Sequence, residues 1–322
     1  MAMAASLISQ TYTMTTDPWV AWAPAWVAQE KGMWKKRGVD INVVCFNGTS
    51  AAQALAARKV DFCMAMAGTA VGLQVNENKD VVVLAEIDWS HGGDKMLLKK
   101  GLELGDLRGK RVGIYEESPA VFMYLAATLK AANLKTSDVK VTVIEDLDAL
   151  ASQMAAGRLG GAIIYEPYVT AGLGKSAARV VGTTADFPGV MPECIVVMRE
   201  RLAKMPQKHV VAMLQGWMDA VVWVQDPKNE AEFARICIEK AFVGEKVTPK
   251  DVKEMLQDVR IHNVAALRRR NLGKDGIHQF LVGCTAFEVA RVGKKVNPKF
   301  GPLFDPKWMK LALPVVQPQP PK

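Results

Sequence analysis

Cysteine and histidine are scarce in this chain, and neither is spaced as metal ligands usually are. Five cysteines lie far apart without a CxxC pair, at Cys45, Cys63, Cys194, Cys237 and Cys284. Most fall in apolar runs such as NVVCF, where a thiol behaves as a small hydrophobic side chain. The four histidines are equally dispersed, at His91, His209, His262 and His278. The sequence therefore predicts no metal site and no cofactor, and the odd number of cysteines leaves at least one free thiol.

Long apolar runs and concentrated positive charge are missing as well. No run approaches the roughly 20 apolar residues that a membrane-spanning helix needs, and no repeat of about 20 to 50 residues is visible. The net charge is +8, but the basic residues are scattered, and the densest cluster, 268–270, falls in a predicted helix. Because no basic stripe alternates with aromatic residues, nucleic acid is not an expected partner.

The patterns that are present predict an α/β chain of about two domains. A length of 322 residues, half of them hydrophobic, suggests a large core and roughly two domains. Up to about residue 185, short apolar runs such as VDFCMAMA, KRVGIY and GGAIIY alternate with amphipathic segments, which favours parallel sheets in an α/β fold. After about residue 199 the strand patterns stop, and the remaining third reads as helices.

In open α/β sheets, ligands bind beyond the carboxyl ends of the strands. Two tryptophans, Trp19 and Trp22, lie in such a loop before Pro24, where they could stack on a planar or cationic ligand or simply be buried. Carboxylates also collect in these loops, either as solvated and capping groups or as ligand contacts: Asp88, Glu116, Glu117, Glu166 and Glu193. An anion site usually supplies a cationic partner, and these loops have none apart from Lys95. We therefore expect a ligand with a positive or hydrogen-bond-donating nitrogen: a zwitterion, amine, amidine or heterocycle.

Several segments, in order, resemble one family. WVAWAPAWVAQEKGMWKKRGVDINVV, DLRGKRVGIYEES and ALASQMAAGRLGGAIIYEPYVTAG are similar to the nitrate/sulfonate/taurine-type solute-binding proteins of ABC importers. The resemblance covers about residues 17 to 200. One departure bears on the ligand: the acidic pair Glu116-Glu117 is not a general feature of the family and argues against nitrate or a simple sulfonate.

The resemblance implies a two-lobed type II periplasmic-binding protein fold with a helical C-terminal third. Lobe one would comprise residues 1–90 and 190–322, and lobe two residues 91–189. A small-molecule ligand would lie between the lobes of a monomer, and an ABC permease in the membrane would be the partner. The location would be periplasmic or otherwise extracytoplasmic, with a signal peptide removed ahead of this sequence. The expected ligand-binding residues are Trp19, Trp22, Asn47, Thr49, Ser50, Gly68, Thr69, Trp89, Ser90, His91, Glu116, Ser118, Tyr165 and Glu166.

The stretch DWSHGGDKM offers a hydrolase as an alternative, because it brings Ser90, His91 and Asp94 together in the sequence. Neighbours on an extended chain point apart, so Ser90 and His91 are poorly placed to cooperate. On the resemblance, the stretch is instead the first crossing between lobes, with Gly92 and Gly93 giving the backbone its freedom and His91 a candidate contact at the rim of the cleft.

Other functions stay open at this point. The same fold could bind sulfonate or nitrate, or serve as a ligand-sensing module that docks on a receptor. It also hosts enzymes of thiamine-pyrimidine synthesis and the menaquinone pathway. The pyrimidine synthases carry a cysteine-rich run that this chain lacks, and His91 is the one histidine at a predicted cleft. We therefore expect a binding protein and not an enzyme.

Overall fold

The computed structural model describes residues 10–46, 50–173 and 177–314. Within these ranges, ten strands form two five-stranded sheets. In chain order the strands are β1 (Thr11–Thr16), β2 (Asp40–Cys45), β3 (Phe62–Met66), β4 (Val81–Trp89), β5 (Asp94–Lys99), β6 (Arg111–Ile114), β7 (Lys140–Val143), β8 (Gly161–Tyr165), β9 (Ala178–Thr183) and β10 (Pro192–Met198).

Helices connect the strands and make up the C-terminal third. They are α1 (Pro24–Glu30), α2 (Met33–Lys36), α3 (Ser50–Ala56), α4 (Ala67–Val75), α5 (Pro119–Lys130), α6 (Leu147–Ala155), α7 (Tyr168–Leu173), α8 (Arg199–Leu202), α9 (Gln207–Val224), α10 (Glu230–Ile236), α11 (Pro249–Gln257), α12 (Val264–Leu272), α13 (Ile277–Val292) and α14 (Lys307–Ala312). None of the helices in the described ranges is long and apolar enough to cross a membrane.

The strand order is β2-β1-β3-β10-β4 in the first sheet and β7-β6-β8-β5-β9 in the second. The pairs β1–β2, β1–β3, β6–β7 and β6–β8 are parallel. The sequence pattern predicts parallel sheets, whereas β10 and β5 run antiparallel to their neighbours. Each follows a crossing from the other sheet. Its first residues therefore lie beside the carboxyl ends of the neighbouring strands.

Each sheet carries its own helices. We call the first sheet and the helices packed on it lobe one, and the second sheet with α5, α6 and α7 lobe two. The crossings run from β4 to β5 and from β9 to β10. We propose that lobe one comprises residues 1–90 and 190–322, and lobe two residues 91–189.

Local sequence signals explain where several helices begin. Ser118 precedes α5 and Pro119 takes its first position, where the missing N–H of proline costs nothing. The Asp146 side chain accepts a hydrogen bond from the Ala149 backbone N–H at the start of α6. Thr248 forms a capping box with Asp251 at the start of α11. The caps of α6 and α11 satisfy backbone donors that a helix leaves free.

The C-terminal helices pack back on lobe one. Beyond Met198 the described chain contains no further strand of a sheet, and α9 lies against α1 and α2. The Trp34 indole donates to the Met213 carbonyl oxygen over 2.8 Å. On β4, the fully buried carboxylate of Glu86 accepts from Arg270 at 2.7 Å and contacts the His262 ring nitrogen at 2.8 Å. A buried charge needs such partners. These bonds therefore attach the C-terminal helices to the first sheet.

Candidate functional site

A cleft lies between the facing edges of the two sheets and encloses about 520 Å³ of atom-free space, its open mouth included. We call it the acidic cleft. Its lining comes from the strand ends and helix starts of both lobes: Asp17, Trp19, Trp22, Ala51, Ala52, Cys63, Met64, Ala65, Met66, Thr69, Asp94, Tyr115, Glu116, Tyr165 and Glu193.

Aromatic side chains form one part of this lining. Trp19 and Trp22 follow β1 directly, while Tyr115 and Tyr165 follow β6 and end β8. The Tyr165 ring meets Trp19 edge-on, with centroids 5.5 Å apart, and Tyr115 at 5.1 Å. A Cβ on Gly93 would lie 2.4 Å from the Trp19 ring, so a residue without a side chain is needed at this crossing. The rings from the two lobes therefore form an apolar wall, and their edge-on contacts fix the orientation of each ring.

Carboxylates form the other part. Asp17 begins the loop after β1, Glu116 follows β6, and Asp94 and Glu193 lie at the start of β5 and β10. Glu116 accepts a hydrogen bond from the Thr69 hydroxyl over 2.7 Å. Asp94 accepts one from the Tyr115 hydroxyl over 2.6 Å. Four acidic side chains from four elements therefore face one small space.

Behind this wall, Asp88 adds a fifth buried carboxylate. It lies directly opposite Glu193 in the pairing of β4 with β10, and it is fully buried. Its Oδ1 accepts a bond from the Trp19 indole N–H over 3.3 Å. The Trp19 ring is thus held by Asp88 on one side and Tyr165 on the other.

Burial dominates the protonation of these groups. Desolvation raises the pKa of Glu116 to about 7, although the hydrogen bond from Thr69 acts in the opposite direction. Burial, reinforced by the neighbouring Glu116, raises the pKa of Asp17 well above its usual value. Burial and the nearby Asp88 do the same to the pKa of Glu193. The cause is common to all three, because burial in a low-dielectric region disfavours the charged form of a carboxylate.

The described lining holds no cation that would favour the ionised forms of these acids. None of the described residues that line the acidic cleft is Lys, Arg or His. The nearby Lys95 is held by Asp258, its Nζ 2.7 Å from Oδ2. The acidic cleft therefore presents several carboxylates, aromatic rings and the Thr69 hydroxyl, which is the chemistry of a cation-binding pocket.

Of the residues expected from the sequence, five line the acidic cleft: Trp19, Trp22, Thr69, Glu116 and Tyr165. They come from both lobes, so the structure brings these five together. Asn47 and Thr49 lie outside the described residues. Ser50 is the exposed first residue of α3, one position before lining residue Ala51.

Gly68 and Ser118 lie at the contact between the lobes, beside the lining. Gly68 starts α4 so close to α5 that an added Cβ would lie 2.4 Å from the Ala120 backbone nitrogen. Ser118 is buried, and its Oγ lies 3.3 Å from the Thr69 Oγ1. Both residues shape the approach of the lobes.

Trp89, Ser90 and His91 lie at the first crossing between the lobes, and we call them the hinge residues. They contact residues outside the acidic cleft. The Trp89 ring packs under the Arg270 guanidinium, 4.9 Å from its centroid. Ser90 Oγ bonds Thr184 Oγ1 at 2.7 Å, which joins the two crossings. His91 donates its backbone N–H to the Asp258 carbonyl oxygen over 2.9 Å. Ser90 is thus engaged with the second crossing, and the three residues lie outside the lining of the acidic cleft.

Glu166 lies in a smaller recess beside Trp19, Gly93 and Asp258. Its carboxylate accepts from the Thr170 backbone N–H at 3.4 Å, four residues on. The direct role of Glu166 in ligand binding, like that of the hinge residues, stays a prediction.

Asp94 and Glu193 line the acidic cleft but are absent from the expected ligand-binding residues, although the sequence singles out Glu193 among the loop carboxylates. Asp94 pairs with Tyr165, and Glu193 pairs with Met66, at the cleft edges of their sheets. Both lie near the beginning of antiparallel strands, whereas ligand contacts are expected beyond the carboxyl ends of parallel strands. A charged residue at the start of a strand that follows a predicted crossing is the signal that could have found them.

The lobes touch around the acidic cleft through side chains of the C-terminal third. Tyr168 on α7 donates its hydroxyl to Glu245 over 2.6 Å. The Arg291 guanidinium on α13 lies 3.5 Å from the Glu117 carboxylate and 4.0 Å from the centroid of the Phe122 ring. Together with Lys95–Asp258, these contacts link lobe two to three separate C-terminal segments.

Known proteins share this architecture. A protein of Brucella abortus (strain 2308), whose name describes a binding protein without giving a ligand, is 27% identical over 197 residues, 59% of this chain and 60% of that one. The chain thus spans less than two thirds of the curated relatives it matches.

Solved structures agree with this comparison. The ligand-binding component of an ABC-type import system from Staphylococcus aureus has a TM-score of 0.71 at 14% identity, covering 94% of this chain and 99% of that one. The periplasmic nitrate-binding protein of Synechocystis PCC 6803 has a TM-score of 0.71 at 15% identity, covering 95% and 88%. These likenesses show the periplasmic binding protein fold. The NMT1-like family model matches residues 9–238 of the 322, and the chain belongs to that family.

Proposed function

We propose that this chain is the solute-binding component of an ABC importer, and that the acidic cleft captures a small, positively charged, nitrogen-containing organic solute. One fold neighbour is named as the ligand-binding component of an ABC-type import system and another as a periplasmic nitrate-binding protein, which supports the role. A membrane permease would be its partner, and its place of action would be outside the cytoplasm. The ligand class rests on the lining of the acidic cleft.

The observation that carries this proposal is the uncompensated group of carboxylates. Asp17, Asp94, Glu116 and Glu193 line one space without a lysine, arginine or histidine among the described lining residues. Buried charges are normally paired. Without a ligand, burial raises the pKa values of these four acids and favours their neutral forms. A cationic ligand would favour their ionised forms and pair with them, and the Trp19, Tyr115 and Tyr165 rings would hold its apolar or delocalised part.

Nitrate and sulfonate fit this lining poorly. An anion would meet no lysine, arginine or histidine among the described lining residues and would further disfavour the ionised forms of the four acids, while oxyanion sites usually offer Arg, Lys or backbone N–H donors. The Synechocystis protein is named as nitrate-binding, but its sequence is 15% identical to this chain, and the carboxyl groups here favour a ligand of the opposite charge. A metal cation is also a poorer fit, because no group of three His, Cys, Asp or Glu in the described ranges is arranged to hold one.

Lobe closure would convert binding into a signal for the permease. The lining comes from both lobes, so a bound solute contacts both and favours the state in which they touch. The contacts of Tyr168, Lys95 and Arg291 with the opposite lobe then add to the closed state. A hinge closure of this kind presents a different surface when loaded.

A thermal-shift screen of charged probes tests the proposal. Primary amines, amidines and guanidines should raise the melting temperature at millimolar concentration, whereas nitrate and alkylsulfonates at matched ionic strength should not. A ligand at a hundred times its Kd stabilises the fold by about 2.7 kcal/mol. The variant Asp17→Asn should lose this response. Glu254→Gln, an equal charge change on exposed α11, should keep it. Stabilisation by nitrate or alkylsulfonates alone would refute the proposal.

A further inference from the structure

We infer that the solute carries at least two N–H donors on its cationic group, one directed at Glu193 and one at Asp17, so that fully alkylated ammonium ions are rejected. This inference rests on the proposed function and narrows its ligand class.

Two carboxylate oxygens in the acidic cleft are left without partners. Glu193 is 4% exposed, and its Oε2 finds no hydrogen-bond partner in the described part of the chain. Asp17 Oδ1 is buried and equally without a partner within those ranges. Both residues line the same space. A buried acceptor that stays unpaired carries a desolvation penalty that no hydrogen bond offsets. A ligand that donates a hydrogen bond to each of these oxygens would therefore be favoured.

The other acids of the acidic cleft already have donors from the protein. Thr69 donates to Glu116, Tyr115 donates to Asp94, and the Trp19 indole donates to Asp88. Among the acids that line the acidic cleft, the buried oxygens without a donor in the described ranges are therefore those of Asp17 and Glu193. Asp17 follows β1 and Glu193 lies at the start of β10, two strands of the same sheet with β3 between them, so each oxygen takes an N–H bond of its own.

A quaternary ammonium is the natural rival, because aromatic rings attract such cations without any hydrogen bond. Trp19, Trp22, Tyr115 and Tyr165 supply the rings. An N-alkylated cation would satisfy the charge but leave both free oxygens covered by methyl groups. Sites built around buried acceptors reject analogues that lack the donor much more strongly than apolar pockets reject an extra methyl.

Asp88 offers Glu193 a second way to be satisfied. The two residues lie directly opposite each other on β4 and β10, and Asp88 Oδ2 is also without a partner in the described ranges. A proton shared by the two acids would give the free Glu193 oxygen a hydrogen bond without any ligand. Asp94, Glu116 and Asp17 face the pair from the other elements. Substitution of Glu193 separates the two cases.

The test compares matched cations by isothermal titration calorimetry at constant ionic strength. Three pairs differ in N–H donors at equal charge: methylammonium and tetramethylammonium, benzylammonium and benzyltrimethylammonium, guanidinium and hexamethylguanidinium. We expect at least one N–H cation to bind roughly tenfold or more tighter than its alkylated counterpart, the effect of one charge-assisted hydrogen bond. Glu193→Gln and Asp17→Asn should each reduce that ratio, while Glu254→Gln should leave it unchanged.

Each outcome decides a different claim. Equal binding of both members of every pair overturns this inference and leaves the proposed cation capture intact. An N–H preference that persists in Glu193→Gln shows that Glu193 is satisfied by Asp88 and overturns its assigned role. Binding of none of the six cations contradicts the inference and the proposed function together. Loss of the preference in both cleft variants, with the fold intact by circular dichroism, supports it.

Discussion

At the scale of single residues, the carboxyl groups of the acidic cleft link folding stability to pH. Burial raises the pKa of Glu116 to about 7 from an ordinary value of 4.5. Between these values the folded chain binds the proton that the unfolded chain releases. Stability from this group is therefore complete below about pH 4.5 and is lost as the pH rises through about 7. Asp17, Asp94 and Glu193, whose pKa values burial also raises, act in the same direction.

Glu116→Gln should reduce this pH dependence. Glutamine keeps an acceptor for the Thr69 hydroxyl but cannot ionise. Between pH 5 and pH 8, the free energy of unfolding of the ligand-free variant should fall by roughly 2 kcal/mol less than that of the native chain. Urea unfolding at the two pH values measures the difference. Glu254→Gln, on an exposed face, should follow the native chain; an unchanged pH dependence in Glu116→Gln would show that Glu116 is ionised throughout.

At the scale of elements, the starts of α4 and α5 meet where the lobes touch. Gly68 on α4 faces Ala120 on α5, and a Cβ there would lie 2.4 Å from the Ala120 nitrogen and 2.6 Å from its Cβ. Backbone atoms cannot move aside as a side chain can, so the two helices would have to separate. The contact is tight only because residue 68 is a glycine.

Gly68→Ala should therefore weaken closure while leaving each lobe folded. We expect the affinity for the best cationic probe to fall roughly tenfold or more, the effect of 1–3 kcal/mol of overpacking in the closed state. The radius of gyration with the probe bound, measured by small-angle X-ray scattering, should increase. Gly283→Ala on α13 is the matched control, since its Cβ would meet nothing within 4 Å. Native affinity in Gly68→Ala would contradict the proposed role of this contact.

The sequence predicts many of the strands and helices, but it does not predict which strands pair with one another. The apolar run VDFCMAMA yields β3, and Ser118-Pro119 opens α5, because these signals are local. The pairing of β10 between β3 and β4 joins residues more than a hundred positions apart, and no local pattern specifies it. For the same reason the sequence locates Trp19 and Glu116 in loops after strands, whereas it assigns Asp94 no ligand contact and names Glu193 as a loop carboxylate without placing it at the start of an antiparallel strand.

At the scale of the whole molecule, closure depends on contacts that link lobe two to the C-terminal third. Tyr168 on lobe two donates to Glu245, and Lys95 pairs with Asp258. Both partners lie in segments that follow the strands of lobe one. The helical third thus does more than cover the first sheet, because it supplies part of the surface against which lobe two closes.

Tyr168→Phe removes one of these contacts and keeps the ring in place. A hydrogen bond to a carboxylate contributes about 1.5–3 kcal/mol. If the open state lacks this bond, the affinity for the cationic probe should fall by roughly tenfold, with little change in the melting temperature of the ligand-free chain. Tyr12→Phe is the matched control: its hydroxyl bonds His209 within lobe one at 2.9 Å. That variant should lose about 1 kcal/mol of stability and retain its affinity. The same response in both variants would show that the Tyr168 bond serves folding alone, since a bond that persists in open and closed states cannot shift the balance between them.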